Sequence, residues 1–315
     1  MKPHTTRAYN SFRIDNNSSK IVKVSSTSRL KDEICYYSKI KDTSLCHFFP
    51  RVFSYSKKQP PYELELEYYD YDDLGLHMVN SCEEGLDWEK IACKLVSVLN
   101  AFRIAPAPFT ASPKKIKREM YIEKTLYYQK DLIQNFNFFT EIDKEKELTV
   151  NGEKILNFNS IWDSIKKLVE EILINDKPLS IIHGDMCFSN ILCSKRKNVL
   201  RFIDPRGSFG SQGVLGDPLY DTAKLTHSFD GCYEYIINDK FKINQLSTRS
   251  FDFSFENEKH KLIKSTFLDH SQFSSIEVNL IQGLIFIGMC SRHYDSLDRQ
   301  IVMYLTGLKI LNKFL

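Results

Sequence analysis

Residues 181–207, which read IIHGDMCFSNILCSKRKNVLRFIDPRG, are the most informative part of this chain. Two short apolar runs, Ile191–Cys193 and Val199–Ile203, flank a polar segment that has the composition of a turn. This pattern predicts an antiparallel β-hairpin. If the hairpin is symmetric about Lys197, Asn190 lies directly opposite Asp204, with Cα atoms about 5 Å apart.

The ends of the predicted hairpin carry oxygen-bearing side chains. Asn190 and Asp204, at that separation, can share one hard cation, and Mg²⁺ prefers oxygen ligands at about 2.1 Å. Asp185 lies on the loop that enters the hairpin, so its carboxylate can face the same cavity. A carboxylate there can orient an acceptor hydroxyl and take its proton late in phosphoryl transfer. For Asp185 alone an ordinary turn is the simpler interpretation, since Gly-Asp is a common turn pair.

The motif HGDMCFSNIL followed by FIDPRG resembles the catalytic core of the aminoglycoside phosphotransferase and choline kinase group, a small-molecule branch of the protein-kinase-like fold. The segment GDPLYDTAKL, residues 216–225, resembles the helix start that follows the metal-binding aspartate in this group. The resemblance spans about residues 180–226. It implies that Asp185 is the catalytic base and that Asn190 and Asp204 bind the metal.

The same resemblance implies an α+β fold with two lobes. A small N-terminal β-sheet lobe with one helix is predicted over residues 1–69. A larger, mostly helical C-terminal lobe is predicted over residues 70–315, with the catalytic hairpin at 183–204 and the acceptor site. Within this lobe His183 is predicted to brace the catalytic loop, Asp217 to cap a helix and Asp221 to tie that helix to the loop.

The composition is that of an ordinary soluble globular protein, with 42% hydrophobic and 26% charged residues. The net charge of +3 is spread evenly, so no nucleic-acid partner is expected. The longest apolar run, near 280–290, is shorter than the roughly 20 residues that span a bilayer. The scattered cysteines favour reduced thiols, and we expect a cytoplasmic protein.

The first seventy residues predict a small sheet. Strands are expected at Asn10–Ile14, Lys20–Val24, Arg51–Ser54 and Tyr62–Tyr69, and a helix at Arg29–Ile40. The acidic, aromatic segment at 69–73 is a candidate hinge. Beyond it the chain is predicted to be mostly helical, with helices after Asp87, over Lys114–Asn135, from Ser160, and after the GDPLYD segment to the C-terminus.

The nucleotide-binding residues are predicted from their place in this plan. Lys23 interrupts an apolar strand, and Glu33 lies in the next helix; in kinase-like folds such a pair holds the α- and β-phosphates. An outward-pointing strand lysine is the alternative. Adenine is expected against backbone groups from Glu67 to Tyr69. ATP is the expected nucleotide and GTP stays possible. Residues 5–10, which take the place of the phosphate-covering loop, carry no glycine and leave the choice between the two open.

The acceptor is expected to be a small hydroxylated molecule, because only about ten residues separate Asp204 from GDPLYD and a protein kinase needs a longer activation segment. Arg206 could bind an anionic substrate group or the transferring phosphate, or pair with Asp217 or Asp221. The segment Tyr121–Tyr127 resembles a stretch in phosphotransferase-like proteins of bacterial surface-polysaccharide gene sets. It favours a sugar, or an amino or polyol alcohol used for a capsule or lipopolysaccharide.

Two alternatives remain open at the level of sequence. One is a pseudokinase that binds a nucleotide or a partner without turnover, which the missing glycine loop favours. The other is an enzyme that transfers AMP rather than phosphate. The oligomeric state is not predicted.

Overall fold

The computed structural model describes residues 10–15, 19–80, 86–105, 112–194, 199–210 and 213–315. An antiparallel sheet forms the N-terminal part and helices dominate the rest of the described chain, so the predicted α+β kinase-like fold class is confirmed. The boundary at residue 69 stays a prediction.

The N-terminal sheet has the strand order β1-β2-β4-β3, with antiparallel pairing throughout. Its elements are β1 (Asn10–Asp15), β2 (Lys20–Ser25), α1 (Ser28–Ile40), β3 (Val52–Ser56) and β4 (Tyr62–Glu67). These bounds lie within two residues of the predicted ones. Leu64 and Leu66 alternate inward along β4, and Leu30 and Ile34 of α1 are buried in the same core. The period of two in the strand and the three-to-four spacing in the helix each produce one apolar face.

The chain then becomes helical. The elements are β5 (Asp72–Asp73), α2 (Leu74–Val79), α3 (Trp88–Ile104), α4 (Pro113–Arg118), a π-helical turn (Glu119–Glu123), α5 (Lys124–Asn135) and α6 (Asn137–Ile142). Asp87 caps α3 by accepting the backbone N–H of Lys90, as the sequence predicts. Helical structure over Lys114–Asn135 is also confirmed, with the π turn inside it. Pro113 begins α4 rather than closing the preceding segment, because its missing N–H costs nothing at a helix start.

The next elements are β6 (Glu147–Val150), β7 (Glu153–Leu156) and α7 (Phe158–Ile172). The predicted start of α7 at Ser160 is wrong. Asn157 is the N-cap, because its buried side chain accepts the Phe158 N–H at 2.9 Å and the Tyr304 hydroxyl at 2.7 Å. The buried side-chain oxygen of Asn157 is held in place and accepts a backbone N–H at the start of the helix. An exposed serine such as Ser160 would leave that N–H to hydrogen-bond with water.

The remaining elements run to the C-terminus. They are β8 (Ser180–Ile181), β9 (Ile191–Ser194), β10 (Val199–Phe202), β11 (Leu215–Gly216), α8 (Pro218–Phe229), α9 (Tyr233–Ile237), β12 (Phe241–Ser247), β13 (Ser250–Phe255), α10 (Lys259–Leu268), α11 (Ile276–Met289) and α12 (Leu297–Asn312).

An uninterrupted run of helices after the GDPLYD segment was predicted, and this is wrong. β12 and β13 form a hairpin that extends to β6 and β7 in the order β12-β13-β6-β7. The alternation of polar and apolar residues in FKINQLS and SFDFSF is a strand signal. Phe251 fills the inner face of this sheet and is fully buried.

The apolar run near 280–290 forms the buried helix α11, as predicted, and α11 packs against α8 and α12. Across the described residues, every helix is too short or too polar to cross a bilayer.

Candidate active site

The hairpin β9–β10 forms as predicted, but its register differs by one residue. Ile191 pairs with Phe202 and Cys193 with Leu200, and all four side chains are buried. The Ile203 N–H donates to the Asn190 carbonyl at 3.0 Å. Asn190 therefore faces Ile203, and the predicted direct opposition to Asp204 is wrong. Burial decides this, because a one-residue slip would turn one strand's apolar side chains away from the core.

The loop before the hairpin is braced by a buried histidine. His183 Nε2 lies 3.0 Å from the Ile203 carbonyl, and Nδ1 accepts the Asp185 N–H at 3.2 Å. Since Nδ1 accepts, Nε2 carries the proton and donates. Burial lowers the pKa of His183 to about 4, so the ring is neutral at physiological pH. The predicted bracing role is confirmed.

Helix α8 holds the same loop from the other side. Asp221 accepts the backbone N–H of His183 at 2.6 Å and of Gly184 at 2.8 Å. Asp217 caps α8 by accepting the Leu219 N–H at 3.0 Å. Both predicted roles are confirmed. Gly184 has φ +78°, a conformation that suits glycine, and this lets the loop turn tightly beneath Asp185.

Asp185 lies where this loop meets a cavity, with its side chain 39% exposed. Its Oδ1 lies 2.9 Å from Nζ of Lys224, a buried residue of α8. Burial alone would raise the pKa of Asp185, but the cations of Lys224 and Arg206 outweigh it and hold the pKa below its usual range. Asp185 is therefore a carboxylate at physiological pH.

Sequence reasoning missed Lys224. A signal was present, since this lysine stands in the GDPLYDTAKL segment one helical turn after Asp221, and residues three apart share a helix face. Without the fold, however, nothing in that spacing says that the shared face meets Asp185.

A buried lysine, Lys23, lies between the carboxylates of Glu33 and Asp204. Lys23 Nζ lies 2.7 Å from Oε2 of Glu33 and 2.5 Å from Oδ1 of Asp204. Lys23 and Glu33 are buried, whereas the Asp204 side chain is 49% exposed. Burial raises the pKa of Glu33 to about 7 against the opposing effect of Lys23. The outward-pointing alternative for Lys23 is excluded by this geometry.

A divalent cation fits the donor set beside this lysine. Asn190 Nδ2 donates to the Asp185 carbonyl at 2.8 Å, which leaves its Oδ1 as the side-chain group that can bind a cation. Asp204 offers a half-exposed carboxylate. An amide oxygen and a carboxylate are hard ligands of the kind that Mg²⁺ takes alongside phosphate oxygens.

The predicted adenine segment lies at the end of β4. The Glu67 N–H donates to the Arg51 carbonyl, and the Tyr68 N–H donates to Ser19, each at 2.8 Å. The Tyr69 hydroxyl donates to Oε2 of Glu67 at 2.6 Å. Adenine contacts of Glu67 and Tyr69 stay predictions, and two backbone donors there are already engaged. The loop at 5–10 lies outside the described residues, apart from the backbone of residue 10 in β1.

Comparison with known proteins identifies the fold. Neither protein-family models nor curated proteins give a match. Among solved structures, a thermostable mutant of aminoglycoside phosphotransferase APH(4)-Ia in its apo form has a TM-score of 0.62 at 11% identity, covering 98% of this chain and 92% of that one.

Two further structures agree. A ternary complex of a thermostable APH(4)-Ia mutant with AMP-PNP and hygromycin B has a TM-score of 0.61 at 10% identity, covering 98% of this chain and 91% of that one. The GDP and kanamycin complex of APH(2")-IIia has a TM-score of 0.53 at 14% identity, with the same coverage. The chain therefore has the fold of the aminoglycoside phosphotransferases.

Proposed function

We propose that this protein is a Mg²⁺-dependent phosphotransferase that moves the terminal phosphate of ATP, or of GTP, to a hydroxyl of a small molecule. One observation carries the proposal: both ends of a single hairpin connect to chemically distinct groups. Asp204 forms an ion pair with Lys23, a buried cation suited to phosphates. The Asn190 side chain donates a hydrogen bond to the backbone carbonyl of Asp185. The groups that we propose for the triphosphate and for the proton are thereby joined by one short hairpin.

Each side chain has a role in this proposal. Lys23 holds the α- and β-phosphates and Glu33 keeps it in place, while Asp204 and Asn190 hold the metal. When bound, Mg²⁺ would neutralise charge on the phosphate oxygens. Asp185 orients the acceptor hydroxyl and receives its proton. Its low pKa makes it a weak base, which suits a loose transition state in which the proton leaves late.

The acceptor, in this proposal, is a sugar or an amino or polyol alcohol used for surface-polysaccharide synthesis in the cytoplasm. The support is the segment Tyr121–Tyr127, several of whose residues line the cavity that contains Asp185. The fold is compatible with such acceptors, since structural neighbours were solved with hygromycin B or kanamycin.

The test separates chemistry from nucleotide binding. Asp185→Ala is expected to lower transfer by roughly 10²–10⁴-fold, the range for loss of a positioned proton acceptor, while Mg·ATP still binds. Asp204→Ala is expected to weaken Mg·ATP binding itself. Asp269→Ala, at an exposed carboxylate after α10, is the matched control and should change neither. Thermal melts check that each variant is folded. Full transfer by Asp185→Ala would remove the assigned base.

The same assay decides between the proposal and its alternatives. ADP release that depends on an acceptor indicates a kinase. Nucleotide binding without any turnover indicates a pseudokinase. A product heavier by about 329 rather than about 80 dalton indicates transfer of AMP instead of phosphate, by the mass of the group transferred.

A further inference from the structure

The cavity beside Asp185 is lined by an excess of cationic side chains. Its walls come from the π turn and α5, from the loop of Asp185 and the segment after β10, and from α8, α9 and α11 with the residues that follow α11. The basic side chains on this wall are Lys124, Arg206, Lys224, Arg292 and His293. Among the described residues that line it, Asp185 is the one carboxylate.

The ion pair between Lys224 and Asp185 at 2.9 Å uses that carboxylate. Lys124 Nζ lies 3.7 Å from the Met120 sulfur, and the Arg292 guanidinium lies 5.8 Å from the centre of the Tyr128 ring. Aromatic rings and sulfur contact a cation without neutralising it. Four lysine and arginine side chains line the cavity against one carboxylate among the described residues, so this lining has a positive formal charge.

An outer cavity adjoins this one and has a different charge balance. Lys124 and Arg206 line both, but the outer cavity also contains Glu119 and Glu123. The cationic excess is thus concentrated in the inner cavity, where Asp185 lies.

Electrostatic repulsion within the wall is considerable. Burial lowers the pKa of Lys124 well below its ordinary value, and the charges of Arg206, Arg292 and Lys224 lower it further. Half-buried cations gathered around one carboxylate destabilise one another unless an anion joins them.

We propose that the acceptor is a hydroxylated anion, carrying a phosphate or carboxylate group that binds in this inner cavity next to the reacting hydroxyl. The proposal rests on the phosphotransferase function above and names its substrate class. Lys224 lies 2.9 Å from Asp185, and the charge of Arg206 acts on the same carboxylate, so these two can serve the transferring phosphate instead. Lys124 and Arg292 come from elements that carry no predicted nucleotide or metal ligand, so we assign these two to the acceptor's anionic group. A polycationic acceptor would be repelled.

The first experiment measures anion binding with the nucleotide site filled. Inorganic phosphate is titrated into protein saturated with Mg²⁺ and AMP-PNP, and its ³¹P line width is followed. We expect saturable binding that Lys124→Met and Arg292→Met each weaken by about tenfold or more, the scale of one charge-assisted contact. Lys130→Met is the matched control, since Lys130 is an exposed residue of the same helix, and it should bind like the wild type. Absent binding, or equal binding in all variants, would overturn the proposal.

The second experiment compares matched acceptors by ADP release: glucose, glucosamine, gluconate and glucose 1-phosphate. We expect kcat/KM to be highest for an anionic member, and Lys124→Met to remove that preference while Lys130→Met retains it. Gluconate against glucose 1-phosphate separates carboxylate from phosphate as the recognised group. Equal or better transfer to glucosamine would overturn the anionic class and leave the phosphotransferase function standing. Charge-dependent phosphate binding with no transfer to any acceptor would support the anion site and count against the phosphotransferase.

Discussion

Gly207 sets how closely the segment that carries Asp204 approaches helix α1, and this can be tested directly. Gly207 has φ +50° and follows the Asp204-Pro205-Arg206 sequence. A Cβ atom added there would overlap the backbone carbonyl of Asp32, the residue before Glu33 in α1. The overlapped atoms belong to backbone, which cannot rotate away. A substitution at Gly207 must therefore move the helix or the segment.

The expected cost of Gly207→Ala has two parts. The left-handed conformation costs a residue with a Cβ roughly 1–2 kcal/mol. Forcing a methyl group into packed structure adds roughly 1–3 kcal/mol. We therefore expect a loss of about 2–5 kcal/mol in the free energy of unfolding. This is a large fraction of the roughly 5–15 kcal/mol that stabilises a typical domain.

Gly152→Ala is the matched control. Gly152 lies in the turn between β6 and β7 with φ +79°, and an added Cβ there meets no atom within 4 Å. This variant should lose only the conformational part, about 1–2 kcal/mol. The difference between the two variants isolates the steric part.

Urea unfolding measures the stability of both variants, and calorimetry measures their affinity for Mg²⁺ with AMP-PNP. Displacing α1 from the segment that carries Asp204 would disturb the contacts of Lys23 with Glu33 and Asp204. We expect Gly207→Ala to bind the nucleotide more weakly and Gly152→Ala to bind it normally. Equal destabilisation in the two variants would refute the close approach and the argument built on it.

Three further predictions concern buried or crowded charges. Asp221→Ala removes the acceptor of two backbone N–H groups in the loop before β9, so urea unfolding should show a loss of about 2 kcal/mol or more in the free energy of unfolding. Burial, with the charge of Asp73, raises the pKa of Glu234 to about 7 from an unfolded value of 4.5. The folded state therefore keeps a proton that the unfolded state releases, and the free energy of unfolding falls as the pH rises from 4.5 to 7. Glu234→Gln has no such proton to release, so in parallel urea titrations its free energy of unfolding should fall by up to about 3 kcal/mol less than that of the wild type. Lys124→Met removes a repelled, half-buried cation, so without ligands its melting temperature should exceed that of the wild type; an unchanged or lower value would contradict the crowding argument.

Much of the site could be predicted because its residues lie close together in sequence. One short stretch and the helix after it contain the hairpin, His183, which braces the loop, and Asp221, which accepts the loop's backbone hydrogen bonds. The pairing of Lys23 with Glu33 also follows from the sequence, since a strand lysine and a helix glutamate ten residues apart are a recurrent local pattern, whereas their contact with phosphates stays a prediction.

The basic lining of the inner cavity could not be predicted in this way. Lys124, Lys224 and Arg292 stand on three separate helical segments, and each is an ordinary helical lysine or arginine in sequence. Their common property arises from packing, because α11 contacts both α5 and α8 and brings the three segments around Asp185. The small β-sheet with strands from 147–156 and 241–255 departs from the expected helical lobe, although the alternation of polar and apolar residues in 241–255 is a local strand signal.

The position of Asp204 shows why the residue types could be identified when the register could not. Asp204 has φ +56°, a conformation that costs most residues but that aspartate tolerates better than most. It is held there from both sides, because the Ile203 N–H donates to Asn190 and the Arg206 N–H donates to the His183 carbonyl at 2.8 Å. The chain therefore leaves the strand at Asp204 and folds back onto the loop of Asp185. Backbone hydrogen bonds outside the β-ladder, rather than pairing within it, fix the position of Asp204 relative to that loop. The two-residue periodicity of a strand carries no information about these hydrogen bonds, so the sequence pattern could not predict the register.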